Sequence, residues 1–447
     1  MILLLLTEGK NRSLVFSQKK KKRRRVELFF LLLVTAISVL LSDGEPVFSQ
    51  NEKNSTFNAG LKILRLDYTC DEKKEIITLA IWYPTYEKQE RFVYHQGKNY
   101  ENYESKLAFN APVSEEHRPF PLILFAHGAY GDGFSCAFFM EYLARHGYIA
   151  VAPDFKDTKG PGYTEEIAFS RIAGGNTASA AAILRTAKQF VSDMEANRDL
   201  LLWYLGKYRL QPSSFVIDRI LEMNRDKNSF LYQVIDEKQI GMCGHSLGAL
   251  TAMGKIGAHP EPGFKDGRIK AGLLFSGPVY PFENTVGNIG VPVMMMRGDK
   301  DPANLGGNLG LERKIAYQRA KPPKYYLVLK DATHFSFTSR VCGDTPLYQA
   351  AETSFQAKAI CRYGLAFLER YVRENIYAEK VCREIFPGLV YYEREELPGV
   401  IFRWGIEPAS REGISEAIKE EVKKKIREKN KRKNNRDTLP EKNPVRI

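Results

Sequence analysis

The sequence predicts an α/β protein: a mostly parallel mixed sheet of about eight strands flanked by helices, with one long inserted helical segment. Three observations predict it. Short, nearly continuous apolar runs recur along the chain, as expected of strands buried on both faces. Stretches with helical apolar spacing lie between them. The order is two strands with partial alternation, then repeated strand–helix–strand units, which makes most strands parallel and covers both sheet faces with helices.

Taken in order, residues 1–50 read as targeting sequence. "KKKKRRR" (19–25) precedes a 14-residue apolar stretch, Leu28–Leu41, and then the polar "SDGEPVFSQ". A cationic start and an apolar segment of this length fit a secretory signal peptide, because a full span needs about 20 apolar residues. An uncleaved signal-anchor is the alternative, with the basic run left on the cytoplasmic side. The expected location is therefore exported, periplasmic or secreted, or tethered to a membrane by this segment.

Residues 51–408 form the main domain. Its expected strands are 61–68, 75–84, 121–128, 148–155, 238–244, 270–277, 291–298 and 324–334, rich in β-branched, aromatic and other apolar residues. Helical spacing marks 136–147, 178–194, 250–258 and 356–376. Two connections are long: the polar, tyrosine-rich 85–118, and the insertion at about 156–237, which carries "LLWYLGKYRL" and "SSFVIDRILEMN". Such an insertion is either a lid or wall of a ligand pocket or a second helical layer with a packing role. Residues 409–447 are a basic, charged tail. Ile414, Ile418, Val422 and Ile426 recur there every fourth residue, which predicts a short amphipathic helix.

The net charge is +13. The run at 19–25 contributes +7 and residues 411–447 contribute +6, which accounts for the whole excess. The body is electroneutral, so no nucleic-acid groove is expected, and contact with an anionic membrane surface is expected only through the basic ends. The six cysteines contain no C-x-x-C pair, so neither a zinc ribbon nor a thioredoxin-type site is supported. Export permits disulfides, with Cys342, Cys361 and Cys382 the candidates because they follow the last expected strand; Cys243, at a strand end, reads as a small buried side chain. No His/Asp/Glu cluster has ligand spacing, so no metal and no cofactor are expected.

The chemistry concentrates at Gly244-His245-Ser246-Leu247-Gly248, which fits G-x-S-x-G between an expected buried strand and an expected helix. A serine on so tight a turn has a strained backbone, and glycines two residues away on either side relieve the crowding. The helix start adds unpaired N–H groups and positive potential. A nucleophilic serine needs a base, and the base needs an orienting acid. Two histidines follow Ser246. His259 lies at the far end of the elbow helix, and His334 lies in the loop after the last expected strand, where the base belongs. "MMMRGDKDP" offers Asp301 and Asp299. Asp301 is the choice because a turn starting at Gly298 aims its fourth residue at the histidine; Asp299 reads as a brace of that turn, and Asp331 ranks third. For the oxyanion, the N–H of Leu247 and the N–H of Ala129, in "HGAYG" after the strand at 121–128, are the expected donors. Gly128, Tyr130, Gly244, His245 and Gly248 support them, and His127 is a structural candidate.

Together, "HGAYG", "APDF", "GHSLG", "RGDKD" and "THFSF" resemble the α/β-hydrolase superfamily over roughly residues 60–380. "LAIWYPT", "VIDRIL" and "HFSF" resemble the platelet-activating-factor acetylhydrolase and predicted dienelactone-hydrolase group. The resemblance implies a serine-dependent carboxylic-ester hydrolase that works through an acyl-enzyme, without cofactor, on short or oxidised acyl esters, with a small ester or lipid as substrate. Two departures matter. The animal lipid-associated enzymes of that group carry the acid after the strand that follows the elbow helix, where this chain has Ser276 in "LLFSGP". Dienelactone hydrolases proper use a cysteine where this chain has Ser246. Polyester esterase and amidase chemistry need the same triad, and a non-catalytic binding protein on this scaffold is the rival from another class.

Overall fold

The computed structural model describes residues 57–70, 73–94, 102–129, 131–155, 197–301 and 309–406. The expected signal segment, the helix at 178–194, Tyr130 and the basic tail lie outside them. The protein is mixed α/β, and its sheet has twelve strands rather than about eight. In chain order they are β1 (Asn58–Cys70), β2 (Lys73–Thr85), β3 (Glu90–Tyr94), β4 (Tyr103–Phe109), β5 (Phe120–Ala126), β6 (Ile149–Asp154), β7 (Ile235–His245), β8 (Ile269–Phe275), β9 (Val293–Gly298), β10 (Lys324–Leu329), β11 (Leu389–Leu397) and β12 (Val400–Gly405). Across the sheet the order is β12-β11-β10-β9-β8-β7-β5-β6-β2-β1-β4-β3.

Each of the eight apolar runs contributes to a strand. The four further strands are hairpin arms at the sheet ends. β3 and β4 pair antiparallel inside the connection that reads as polar, and β11 and β12 pair antiparallel after β10. Their apolar residues are diluted by polar ones, as in "YESKLAF" of β4 and "LVYYEREEL" of β11. Every residue of β12 is exposed. From β10 through β9, β8, β7 and β5 to β6 all neighbours are parallel, and this block carries the continuous apolar strands.

Helices cover both faces of this block. α1 (Ala137–Arg145) follows β5. α2 (Arg198–Leu205) and α3 (Gln211–Arg225) precede β7. α4 (Leu247–Met253) follows β7, α5 (Leu309–Arg319) follows β9, and α6 (Phe355–Tyr371) follows β10. Period-two alternation assigns the faces. Leu273 packs toward Gly364 of α6 and Phe139 of α1, whereas its neighbour Leu274 joins the core that holds Ile217 of α3 and Leu250 of α4. The described part of the insertion is thus a core layer rather than a lid: Leu201, Tyr204, Leu205, Val216, Ile217 and Ile220 are all buried. Residues 156–196, its remainder, lie outside the described residues. Among the described residues no helix is long and apolar enough to cross a membrane.

One consequence of the topology positions the site. The chain leaves β5 toward β6 on one side, then crosses back to β7 on the other, so β5 lies between β6 and β7. The loops after β5 and β7 therefore diverge and leave a crevice at the carboxyl ends of the strands, the place where ligands bind on open parallel sheets.

Candidate active site

At the end of β7 the backbone turns abruptly. Ser246 has φ 56° and ψ −119°, a conformation that costs a non-glycine residue about 1–3 kcal/mol and persists only where the surroundings enforce it. Here they do. The Ser246 N–H donates to the Phe275 carbonyl at 2.9 Å, and α4 begins at the next residue. Ser246 is half-buried while its neighbours from Gly241 to Leu250 are buried, so the strained residue is the one presented outward.

The flanking glycines are required by close approach. A Cβ on Gly244 would lie 2.1 Å from the Gly248 carbonyl oxygen, and one on Gly248 would lie 1.9 Å from the Ala126 carbonyl oxygen. Both clashes are with backbone and cannot be relieved by a rotamer change. Gly248→Ala is therefore expected to destabilise the fold by roughly 3 kcal/mol or more. Gly263→Ala, where a Cβ meets nothing within 4 Å, should shift the melting temperature little. Thermal denaturation of the two variants checks this, and equal melting temperatures would contradict the geometry.

Asp301 and His334 come together across two loops. His334 Nδ1 lies 3.3 Å from Asp301 Oδ1, and both residues are buried. Asp299 is not at this contact; its N–H extends the β9–β10 ladder by donating to Leu329 O at 3.0 Å. Asp331, the third candidate acid, forms a surface ion pair with Lys300 at 2.5 Å. That pair, with the Lys300 N–H donating to Ala332 O at 3.0 Å, ties the acid loop to the histidine loop. His334 itself opens a 3₁₀ turn, His334–Phe337, capped reciprocally by Thr333 and Ser336. The link to the elbow runs through His245: its Nε2–H donates to the His334 carbonyl at 2.9 Å, and the two rings stand 4.7 Å apart. His259 lies elsewhere, against Phe264 and Phe282.

The loop after β5 closes the other side. A Cβ on Gly128 would lie 3.3 Å from Ser246 Cβ and 3.2 Å from His245 Nδ1, so this loop presses on the elbow. Ala129 is half-buried at its tip. Leu247 is the first residue of α4, and N–H groups of a first helical turn have no intrahelical partner. His127 is structural: the Phe155 N–H donates to its Nε2 at 2.9 Å, which leaves the proton on Nδ1, 2.7 Å from Gly128 O.

Two further residues hold this arrangement and were not assigned roles from sequence. Ser276, just past β8 and also at positive φ (48°), donates its hydroxyl to Asp301 Oδ2. It occupies the strand end where the resembling enzymes carry their acid, so the strand-end position was the available signal. Arg209, fully buried, donates to the carbonyls of His127 and Gly128. It sits more than eighty residues away in the insertion, and nothing in its local sequence marks it.

The cysteines depart from expectation. All five described thiols, Cys136, Cys243, Cys342, Cys361 and Cys382, are unpaired and buried, so Cys342, Cys361 and Cys382 form no bridge among themselves. Each fills apolar space as a small hydrophobe. Burial pushes the Cys243 thiol well above its ordinary value and Cys342 up to about 12, so neither is a thiolate near neutral pH. Among the described residues, no group of three or more His, Cys, Asp or Glu side chains is placed to hold a metal ion.

Comparison with protein-family models finds no match for this chain, and comparison with curated proteins finds none either.

Proposed function

We propose that the protein is a serine-dependent carboxylic-ester hydrolase on the α/β-hydrolase fold, acting on short or oxidised acyl esters of a small molecule or lipid. The observation that carries this reading is the strained, outward-presented Ser246 together with a buried His334–Asp301 pair at 3.3 Å, which the adjacent His245 joins to the elbow by its hydrogen bond to the His334 carbonyl. Strain at the serine that is presented outward, a polar pair held by a hydroxyl, and a glycine loop pressed on the serine make chemical sense as one acyl-transfer site. The acyl-chain preference comes from the motif resemblance, and the expected export or membrane tethering comes from the basic run and apolar stretch within residues 1–50.

In the mechanism, Ser246 Oγ attacks the ester carbonyl as His334 Nε2 takes its proton. Asp301 Oδ1 faces Nδ1 and holds the imidazole tautomer that leaves Nε2 free to accept. The carbonyl electrons move onto oxygen, where the N–H groups of Ala129 and Leu247 stabilise the charge. Collapse expels the alcohol, which takes the proton from His334. Water, deprotonated by His334, then attacks the acyl-enzyme; the acyl–Oγ bond breaks, His334 returns the proton to Ser246 Oγ, and the acid is released. Buried, high-pKa Cys243 offers no competing nucleophile.

A fluorophosphonate probe tests the reading directly, because only an activated serine reacts readily. The chain from about residue 51 should be labelled at Ser246 and should turn over p-nitrophenyl acetate and butyrate. Absence of both labelling and turnover would favour the non-catalytic reading. A series of esters from two to sixteen carbons then reads the acyl preference.

Ser276 provides a separate prediction. Its hydroxyl satisfies one oxygen of a buried carboxylate, and leaving such a group short of a partner costs about 1–3 kcal/mol. Ser276→Ala should lower kcat roughly tenfold with KM little changed, as expected when the acid loses its orientation. A wild-type kcat in that variant would remove Ser276 from the machinery.

A further inference from the structure

We propose that Arg209 is the positioning residue of the oxyanion loop, fixing the direction and strength of the Ala129 N–H; this rests on the serine-hydrolase reading above. Arg209 lies in a single π-helical turn, Gly206–Leu210, between α2 and α3. Such one-turn π segments often accompany functional sites because the extra residue redirects a side chain. The redirected side chain here runs inward. Arg209 is fully buried, its Nη1 donates to His127 O at 2.7 Å, and its Nη2 lies 3.4 Å from Gly128 O. The guanidinium stacks 4.7 Å from the Phe155 ring, and Phe155 also donates its N–H to His127. Ser213 Oγ donates to the Arg209 carbonyl at 2.6 Å and locks the turn.

The consequence for catalysis follows from peptide geometry. In a trans peptide the C=O of one residue and the N–H of the next lie in one plane and point in opposite directions. The Gly128 carbonyl belongs to the same peptide as the Ala129 N–H. Arg209, His127 Nδ1–H at 2.7 Å and the Gly131 N–H at 3.1 Å all meet that carbonyl, so they aim the Ala129 N–H the opposite way. Gly128 itself presses on Ser246, so the peptide that carries the Ala129 N–H is held against the elbow. A cationic donor on a carbonyl also polarises its amide, which strengthens the N–H at the other end. In a buried site the positive charge adds long-range stabilisation of an oxyanion. The inserted helical layer therefore reaches the chemistry through one side chain.

The test uses Arg209→Met and Arg209→Lys in the full chain. Readouts are kcat and KM on p-nitrophenyl butyrate and Ki for an alkyl trifluoromethyl ketone, which forms a tetrahedral oxyanion on the serine. Positioning predicts that Arg209→Met loses about 100-fold in kcat, with KM within threefold and Ki raised by the same factor as kcat falls. Arg209→Lys keeps the buried charge and should recover part of both. An unchanged kcat, or a fall in kcat with Ki unmoved, overturns the assignment. Where Arg209→Met fails to fold, Arg209→Lys decides: a fall in kcat with a matching rise in Ki supports it, and wild-type values overturn it. Labelling of the wild type by fluorophosphonate separates the two levels. A labelled, active wild type with an active Arg209→Met sinks only the Arg209 role, whereas an unlabelled, inactive wild type sinks the hydrolase reading and this role with it.

Discussion

Ser246→Ala should abolish ester turnover, with kcat falling by about 10⁵- to 10⁶-fold toward the residual catalysis that binding and an oxyanion hole provide alone. The size of the effect follows from what one oxygen does in the proposed cycle. It forms the tetrahedral intermediate and carries the acyl group, and the nearby Cys243 cannot replace it, because that thiol is buried and held protonated. The fold should tolerate the change. Serine and alanine share the cost of positive φ at 246, and the backbone bonds that hold the turn, Ser246 N–H to Phe275 O and the Ala249 and Leu250 N–H groups to Ser246 O, need no side chain. Steady-state assays with p-nitrophenyl esters, alongside melting temperatures, measure both halves. Turnover persisting within tenfold of wild type would place the nucleophile elsewhere.

Asp301→Asn should cost about 10⁴-fold in kcat, the effect of presenting a histidine with an amide that stabilises the wrong tautomer. Oδ2 of Asp301 accepts from Ser276 and Oδ1 faces His334, so the two oxygens have separate duties. An asparagine satisfies only one of them. With its oxygen toward Ser276, its NH₂ meets His334 Nδ1 and favours the proton on Nε2, which blocks base catalysis. With the orientation reversed, its NH₂ opposes the serine hydroxyl, which can rotate but loses its acceptor. Asp299→Asn is the control: that residue is half-buried in the same turn but does not face the histidine. Its kcat should stay within a few-fold of wild type. If Asp299→Asn proves the more damaging change, the acid role moves to Asp299.

The parts of the site legible in the sequence are those set by local chain geometry. A G-x-S-x-G stretch between a buried strand and a helix specifies a strained turn because side chains at 244 and 248 would strike backbone at 2.1 and 1.9 Å. His334 and Asp301 were readable because each follows an apolar strand, and parallel neighbouring strands end on the same edge. The sheet ends were less legible. In β11, "LVYYEREEL", the glutamates engage basic side chains, as in Glu393 with Lys314 and Arg403 and Glu395 with Lys324, so the strand does not read as a simple apolar alternation. The Tyr103–Phe109 strand alternates buried and exposed residues over most of its length, but its apolar content is low because Ser105 points inward to hydrogen-bond the buried Glu141.

By itself, the sequence determined the α/β class, the eight apolar strand segments, the elbow and the order Ser246, Asp301, His334 at successive strand ends, because hydrophobic period and steric exclusion act between residues close along the chain. Only the tertiary structure decided that Ser276 holds Asp301, that the described cysteines stay apart, and that Arg209 reaches the loop after β5. Each of these is a contact between segments far apart in sequence. Whether such a contact forms depends on which strand ends the topology sets side by side and which buried polar atoms then need a partner, and neither is encoded in local spacing.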